Sequence, residues 1–225
     1  MADDLGPVEL VNRGMDDIRS RNFNGALDKL DKAVAQAPKL YVAHFHRGRA
    51  LAGLGRLHEA VQSLQTAADL SPKRANTWHK LGTLHAQLGR NDEAIRCLDK
   101  AVELEPKNAK AWYEMGVALA MSDKLQEALD CFQRAIELNP LFARAWCNKG
   151  NVCVKREKYD EALECLDKAI GINGRVPRFW KTKAIILKKM GRRADAANCL
   201  VKAGELEKMR SEILGSDTAG QDEED

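Results

Sequence analysis

The sequence predicts an all-α fold, a solenoid built from tandem helix-turn-helix hairpins. Three observations carry that reading. All four tryptophans, Trp78, Trp112, Trp146 and Trp180, stand 34 residues apart. Gly14, Gly48, Gly82, Gly116 and Gly150 share the period, and each unit adds two alanines, such as Ala94 with Ala101 and Ala128 with Ala135. Within a unit, apolar residues recur at helical spacing on both sides of a short turn. A period of this length marks one supersecondary unit copied in tandem. Six copies run in phase and without insertion over 7–40, 41–74, 75–108, 109–142, 143–176 and 177–210, after a lead at 1–6.

In the first unit Arg13 and Asp17 stand where inner units carry apolar residues, as expected of an outer repeat that faces water. The second holds Gly48 and closes on Pro72. The third shows the pattern most fully. Trp78, Leu81, Leu84 and Leu88 precede the turn, and Ile95, Leu98, Ala101 and Val102 follow it. Gly82 lets the two backbones approach, Ala94 and Ala101 keep the crossing close, and Pro106 cannot continue the second helix. Units four and five repeat this with Trp112, Gly116 and Pro140, then Trp146 and Gly150. In the sixth, Lys183 and Ala184 replace the Leu-Gly pair, and Lys208 stands in place of a closing proline. Its second helix is therefore expected to extend over 211–214 and end at Gly215, leaving Met209, Ile213 and Leu214 uncovered. Residues 215–225 read as an acidic, flexible tail that could reach the basic face of the last repeat.

Composition narrows the function classes. No apolar run approaches the ~18 residues of a membrane span, so no membrane partner is expected. The acidic start MADDLGPVEL is unlike a secretory signal, and the expected location is cytoplasmic. Net charge is +3, unevenly spread: residues 141–210 hold 17 Lys and Arg against 8 Asp and Glu, while 211–225 hold 6 acids and no base. No phosphate-binding loop, dinucleotide fingerprint, HExxH or GxSxG occurs, so the chain reads as a non-enzyme with no catalytic residue, cofactor or metal. Cys97, Cys131, Cys165 and Cys199 follow the 34-residue period and read as copied small hydrophobes. Cys147 and Cys153, on one helix, lack zinc spacing. His44 and His85 occupy core places and read as packing residues.

With its Trp, Leu-Gly, Ala, Ala and Pro pattern at a 34-residue period, the chain resembles the tetratricopeptide repeat (TPR) family over about nine-tenths of its length. The resemblance implies a right-handed α-solenoid whose first helices line a concave groove for an extended peptide. Groove-facing places, carried over from the family, hold Phe45, Arg49 and His79 early on, then Lys110, Tyr113 and Val117, and finally Arg144, Asn151, Arg178, Lys181 and Lys188. The groove thus turns from apolar to basic, with Lys110, Arg144 and Arg178 as a ladder. The family's carboxylate clamp for chaperone tails matches poorly, since Tyr113, Val117 and Ile185 stand at three of its places.

The expected function is a non-enzymatic protein-protein interaction module or adaptor. Its expected ligand is an extended, acidic peptide, with apolar side chains anchored near Phe45 and Tyr113, acids on the ladder and backbone held by Asn151. The alternative is a self-associating scaffold, assembled through the C-terminal helix or the tail. RNA is disfavoured because Tyr113 alone supplies an aromatic among the basic groove residues.

Overall fold

The structure, a computed structural model, describes residues 5–219, with side chains to residue 212. Among the described residues there are twelve helices and no strand: α1 Pro7–Arg19, α2 Phe23–Gln36, α3 Tyr41–Gly53, α4 Leu57–Leu70, α5 Ala75–Gln87, α6 Asn91–Leu104, α7 Ala109–Met121, α8 Leu125–Leu138, α9 Ala143–Lys155, α10 Tyr159–Ile172, α11 Pro177–Lys189 and α12 Arg193–Ala219. The fold class is all-α, an α-solenoid of helical hairpins. No helix of the described residues is long and apolar enough to cross a membrane.

Two compact units divide the chain between Ser122 and Asp123. In the first, α1/α2, α3/α4 and α5/α6 pack as hairpins, each second helix packs on the next first helix, and α1 touches α3 as α5 touches α7. Leu30, Leu51, Leu64 and Leu81 are fully buried there. Close approach depends on glycine: a Cβ on Gly82 would lie 2.6 Å from Leu98 Cγ and 3.1 Å from the Ala94 carbonyl oxygen. In the second unit α9/α10 and α11/α12 form hairpins around Cys147, Leu166, Ala169, Phe179 and Ile186, with a further cluster at Ala184, Leu187, Ala196 and Cys199.

Two local devices repeat with the sequence period. In the turn after each odd-numbered helix one residue is left-handed: Arg21, Gly55, Gly89, Asp123, Glu157 and Gly191, with φ from +59° to +79°. Between hairpins, an aromatic ring N–H on the first helix donates to the carbonyl six residues earlier. Trp78 reaches Pro72 (2.7 Å), Trp112 Pro106 (3.0 Å), Trp146 Pro140 (3.1 Å) and Trp180 Gly174 (2.8 Å). His44 Nε2 makes the same bond to Pro38 at 2.8 Å.

The outer-repeat charges are paired. Asp17 meets Lys29 at 2.5 Å, and Lys183 meets Asp167 at 2.5 Å. At the C-terminal end the expectation needs correction. Helix α12 does not stop at Gly215 but runs to Ala219, so 215–219 are helical. A single glycine costs a helix only ~1 kcal/mol, and Gly171 and Gly204 already sit within α10 and α12. The rest of the expected tail, 220–225, lies outside the described residues.

Candidate peptide-binding site

In the first unit, α3 and α5 present two cations to one cleft. Arg49 and Lys80, both half-buried, line a cavity of about 420 Å³ with Arg21, Gln87 and the apolar Ile18, Phe23, Ala52 and Leu84. His46 orients Arg49, whose Nη1 donates to its Nδ1 at 3.1 Å. Burial, then repulsion from Lys110 and Arg49, brings the Lys80 pKa below the usual lysine range, with Glu114 opposing. Among the described residues the two cations of the cleft, Arg49 and Lys80, are left without a bonded carboxylate.

One acid borders this face. Glu114 on α7 accepts from His79 Nε2 at 3.0 Å and from the Thr83 hydroxyl at 2.6 Å, and its other oxygen lies 3.7 Å from Lys110 Nζ. Burial alone would raise its pKa. The hydrogen bonds from His79 and Thr83, with the charges of His79 and Lys110, outweigh it and hold the carboxyl below the ordinary range.

In the second unit, Arg144 on α9 and Arg178, Lys181 and Lys188 on α11 are exposed, and Asn151 is half-buried. Lys181 is paired with Glu207 of α12 at 2.6 Å. Among the described residues no carboxylate pairs with Arg144, Arg178 or Lys188.

Two sequence-predicted groove residues are not open to a ligand. Phe45 is 6% exposed, stacked on Tyr41 and edge-on to His46, so it belongs to the core. His79 is 7% exposed and committed to Glu114. Tyr113 and Val117 are half-buried, and Lys110 is exposed. Of the ladder residues, Lys110 has a counter-charge in Glu114, 3.7 Å away. Sequence reasoning missed Arg21, Lys80 and Glu114. Lys80 follows His79 by one residue, and on a helix that step of ~100° carries it from one neighbour to another.

Helical hairpins repeated with the sequence period, one of them bearing part of a cationic cleft, define a helical-repeat fold of the protein-interaction type. A family model described as the cilia and flagella-associated protein 70 C-terminal domain matches residues 76–214, and one described as the bacterial transcriptional activator domain matches residues 8–139. The chain belongs to the tetratricopeptide repeat family. No curated protein sequence matches it. Among solved structures, MamA is 30% identical over 73% of this chain and 96% of its own, with a TM-score of 0.69. YrrB, described as a TPR protein with an unusual peptide-binding site, is 28% identical over 74% of this chain and 86% of its own, with a TM-score of 0.68. PilF of Pseudomonas aeruginosa, at 18% identity, covers 92% of this chain and 97% of its own with a TM-score of 0.75, and bears on the fold alone.

Proposed function

We propose that the chain is a non-enzymatic interaction module that binds an extended acidic peptide, seating a peptide carboxylate against Arg49 and Lys80 in the first unit. The observation that carries this is the pair of half-buried cations in an apolar cleft with no bonded carboxylate among the described residues. Bringing a carboxylate there relieves the repulsion on Lys80 and strengthens an interaction that low local dielectric makes larger than in water. Ile18, Ala52 and Leu84 offer apolar contact beside it, and the peptide-binding site of YrrB supports the general mode. In the second unit Arg144, Arg178 and Lys188 form a basic face with Asn151 as a backbone partner.

The test is calorimetric titration of the full chain with a synthetic peptide bearing Glu and Leu side chains. Lys80→Glu or Arg49→Glu is expected to weaken binding by at least ~10-fold, about 1.4 kcal/mol. Affinity falls with salt as the screening length shrinks from ~10 Å at 0.1 M to ~3 Å at 1 M. Binding that ignores both variants and salt overturns the proposal.

A second reading, self-association, is favoured by the outward apolar residues of α12, where Leu200, Val201 and Met209 are each more than half exposed. Light scattering across a concentration series decides it: a mass that stays monomeric at every concentration excludes self-association.

A further inference from the structure

The fifth repeat brings two thiols together. Cys153 lies near the end of α9 and Cys165 in the middle of α10, astride the turn closed by the Lys158 amide to the Cys153 carbonyl. The two side chains line one cleft and lie within interaction range of each other. The helices are close here, since a Cβ on Gly150 would stand 3.3 Å from the Cys165 Cβ. A disulfide between them requires the sulfurs to close to ~2.05 Å.

The same two places in the other repeats are an internal comparison. They hold Asp17 with Lys29, Leu51 with Ser63, His85 with Cys97, Leu119 with Cys131 and Leu187 with Cys199. The periodic cysteine is a copied packing residue, as its burial in every case suggests. Cys153 is not periodic, and it converts the inherited cysteine into one half of a dithiol.

The pair can be reached. Both cysteines are nearly buried, at 1% and 5% exposure, yet both line a solvent-open cleft of about 340 Å³ with Trp146, Lys149, Glu161, Glu164 and Lys168. A cleft of this volume admits a small neutral molecule.

We propose that Cys153 and Cys165 form an oxidation site that closes to an intramolecular disulfide when a hydroperoxide enters this cleft. Cys153 is the attacking sulfur. The hydrogen bond from Cys165 favours its thiolate, as do Lys149 and Lys158, against burial and Glu161, and the net effect is a lowered pKa. Cys165 correspondingly keeps its proton. The Cys153 thiolate attacks the distal peroxide oxygen, the O–O bond breaks, and the departing alkoxide or hydroxide is protonated, leaving Cys153 as a sulfenic acid. The Cys165 sulfur then attacks the Cys153 sulfur. An S–S bond forms, the S–O bond breaks, and hydroxide leaves as water with the Cys165 proton. Two thiols and one hydroperoxide give one disulfide, one alcohol (water, for hydrogen peroxide) and one water, with the two electrons supplied by sulfur. Three of the other four thiols compete poorly: burial raises the pKa of Cys97 to about 11 and also raises those of Cys147 and Cys199, so these offer little thiolate.

The experiment treats the reduced full chain with one equivalent of hydrogen peroxide, counts remaining thiols after denaturation and maps linked peptides by mass spectrometry without reductant. The expected result is loss of two thiols, one Cys153–Cys165 linkage and full recovery with dithiothreitol. Cys153→Ser is expected to slow thiol loss at least ~10-fold. Cys165→Ser leaves a sulfenic acid at Cys153 that dimedone traps. Cys97→Ser, outside the pair, oxidises like the natural chain, and circular dichroism verifies that each variant is folded. Oxidation scattered over the six cysteines, a bridge through Cys147, or an unchanged rate in folded Cys153→Ser overturns the proposal.

Discussion

His79 on α5 and Glu114 on α7 meet with Nε2 3.0 Å from Oε2, placing a half-buried carboxylate at the border of the cationic cleft. Its charge offsets part of the field of Lys80 and Lys110. Glu114→Gln keeps an acceptor for His79 and Thr83 but removes that charge. It is expected to tighten binding of an acidic peptide several-fold at low salt, with the gain vanishing as salt screens the site. Fluorescence anisotropy at two ionic strengths measures this, and equal or weaker binding by the variant contradicts it.

Acid should destabilise the first unit through His46. Burial, then the charges of Arg49 and Arg19, brings its pKa from 6.5 to about 4. The unfolded chain therefore binds this proton more readily than the folded one. The contribution is complete above pH 6.5 and is lost as pH falls from 6.5 to about 4. At about 1.4 kcal/mol per pH unit the interval amounts to ~3 kcal/mol. Glu114, a carboxyl with a depressed pKa, adds a loss further into acid. Urea titrations over this range should show a shallower pH slope for His46→Asn than for the natural chain.

Gly82→Ala sets helix propensity against packing. Alanine gains ~1 kcal/mol in a helix interior, but its methyl would fall 2.6 Å from Leu98 Cγ and 3.1 Å from a backbone oxygen that cannot move alone. Overpacking costs ~1–3 kcal/mol, so the substitution should lower stability on balance. A raised urea midpoint would show that the hairpin has room to relax.

The left-handed turn residues give an opposite expectation. Glu157 has φ +61° with an exposed side chain, at the place where Gly55, Gly89 and Gly191 serve other hairpins. A non-glycine residue pays ~1–2 kcal/mol there. Glu157→Gly should recover up to ~1 kcal/mol after the greater freedom glycine has when unfolded. Thermal unfolding of the two proteins side by side is sufficient.

The helices were legible because Trp78 and its 34-residue copies fix the frame, and the apolar pattern fixes which faces pack. The turn conformation was legible only at glycine: nothing in Arg21 or Glu157 announces a positive φ, which the hairpin around them imposes. Phe45 and Lys80 show where the site escaped sequence reading. Family places identify a helix face, yet whether a side chain on it is open or buried depends on its neighbours, here Tyr41 and His46 for Phe45. The dithiol escaped because Cys153 and Cys165 lie on different helices, and spacing along either one cannot reveal a partner on the other.

The ring-to-carbonyl bond that joins successive hairpins also bears on how such a chain can arise. Donor and acceptor lie six residues apart, as in Trp78 with Pro72, so a duplicated stretch that spans the junction carries its joint with it. The acceptor is a main-chain oxygen, which every residue type provides; this is why Gly174 serves as well as a proline. The donor needs only a ring N–H at the right height, and His44 meets that requirement in place of tryptophan. Copies could therefore drift apart in sequence at both ends of the joint while inheriting the same junction, and lineages could lengthen or shorten the array by whole units without inventing a new connection.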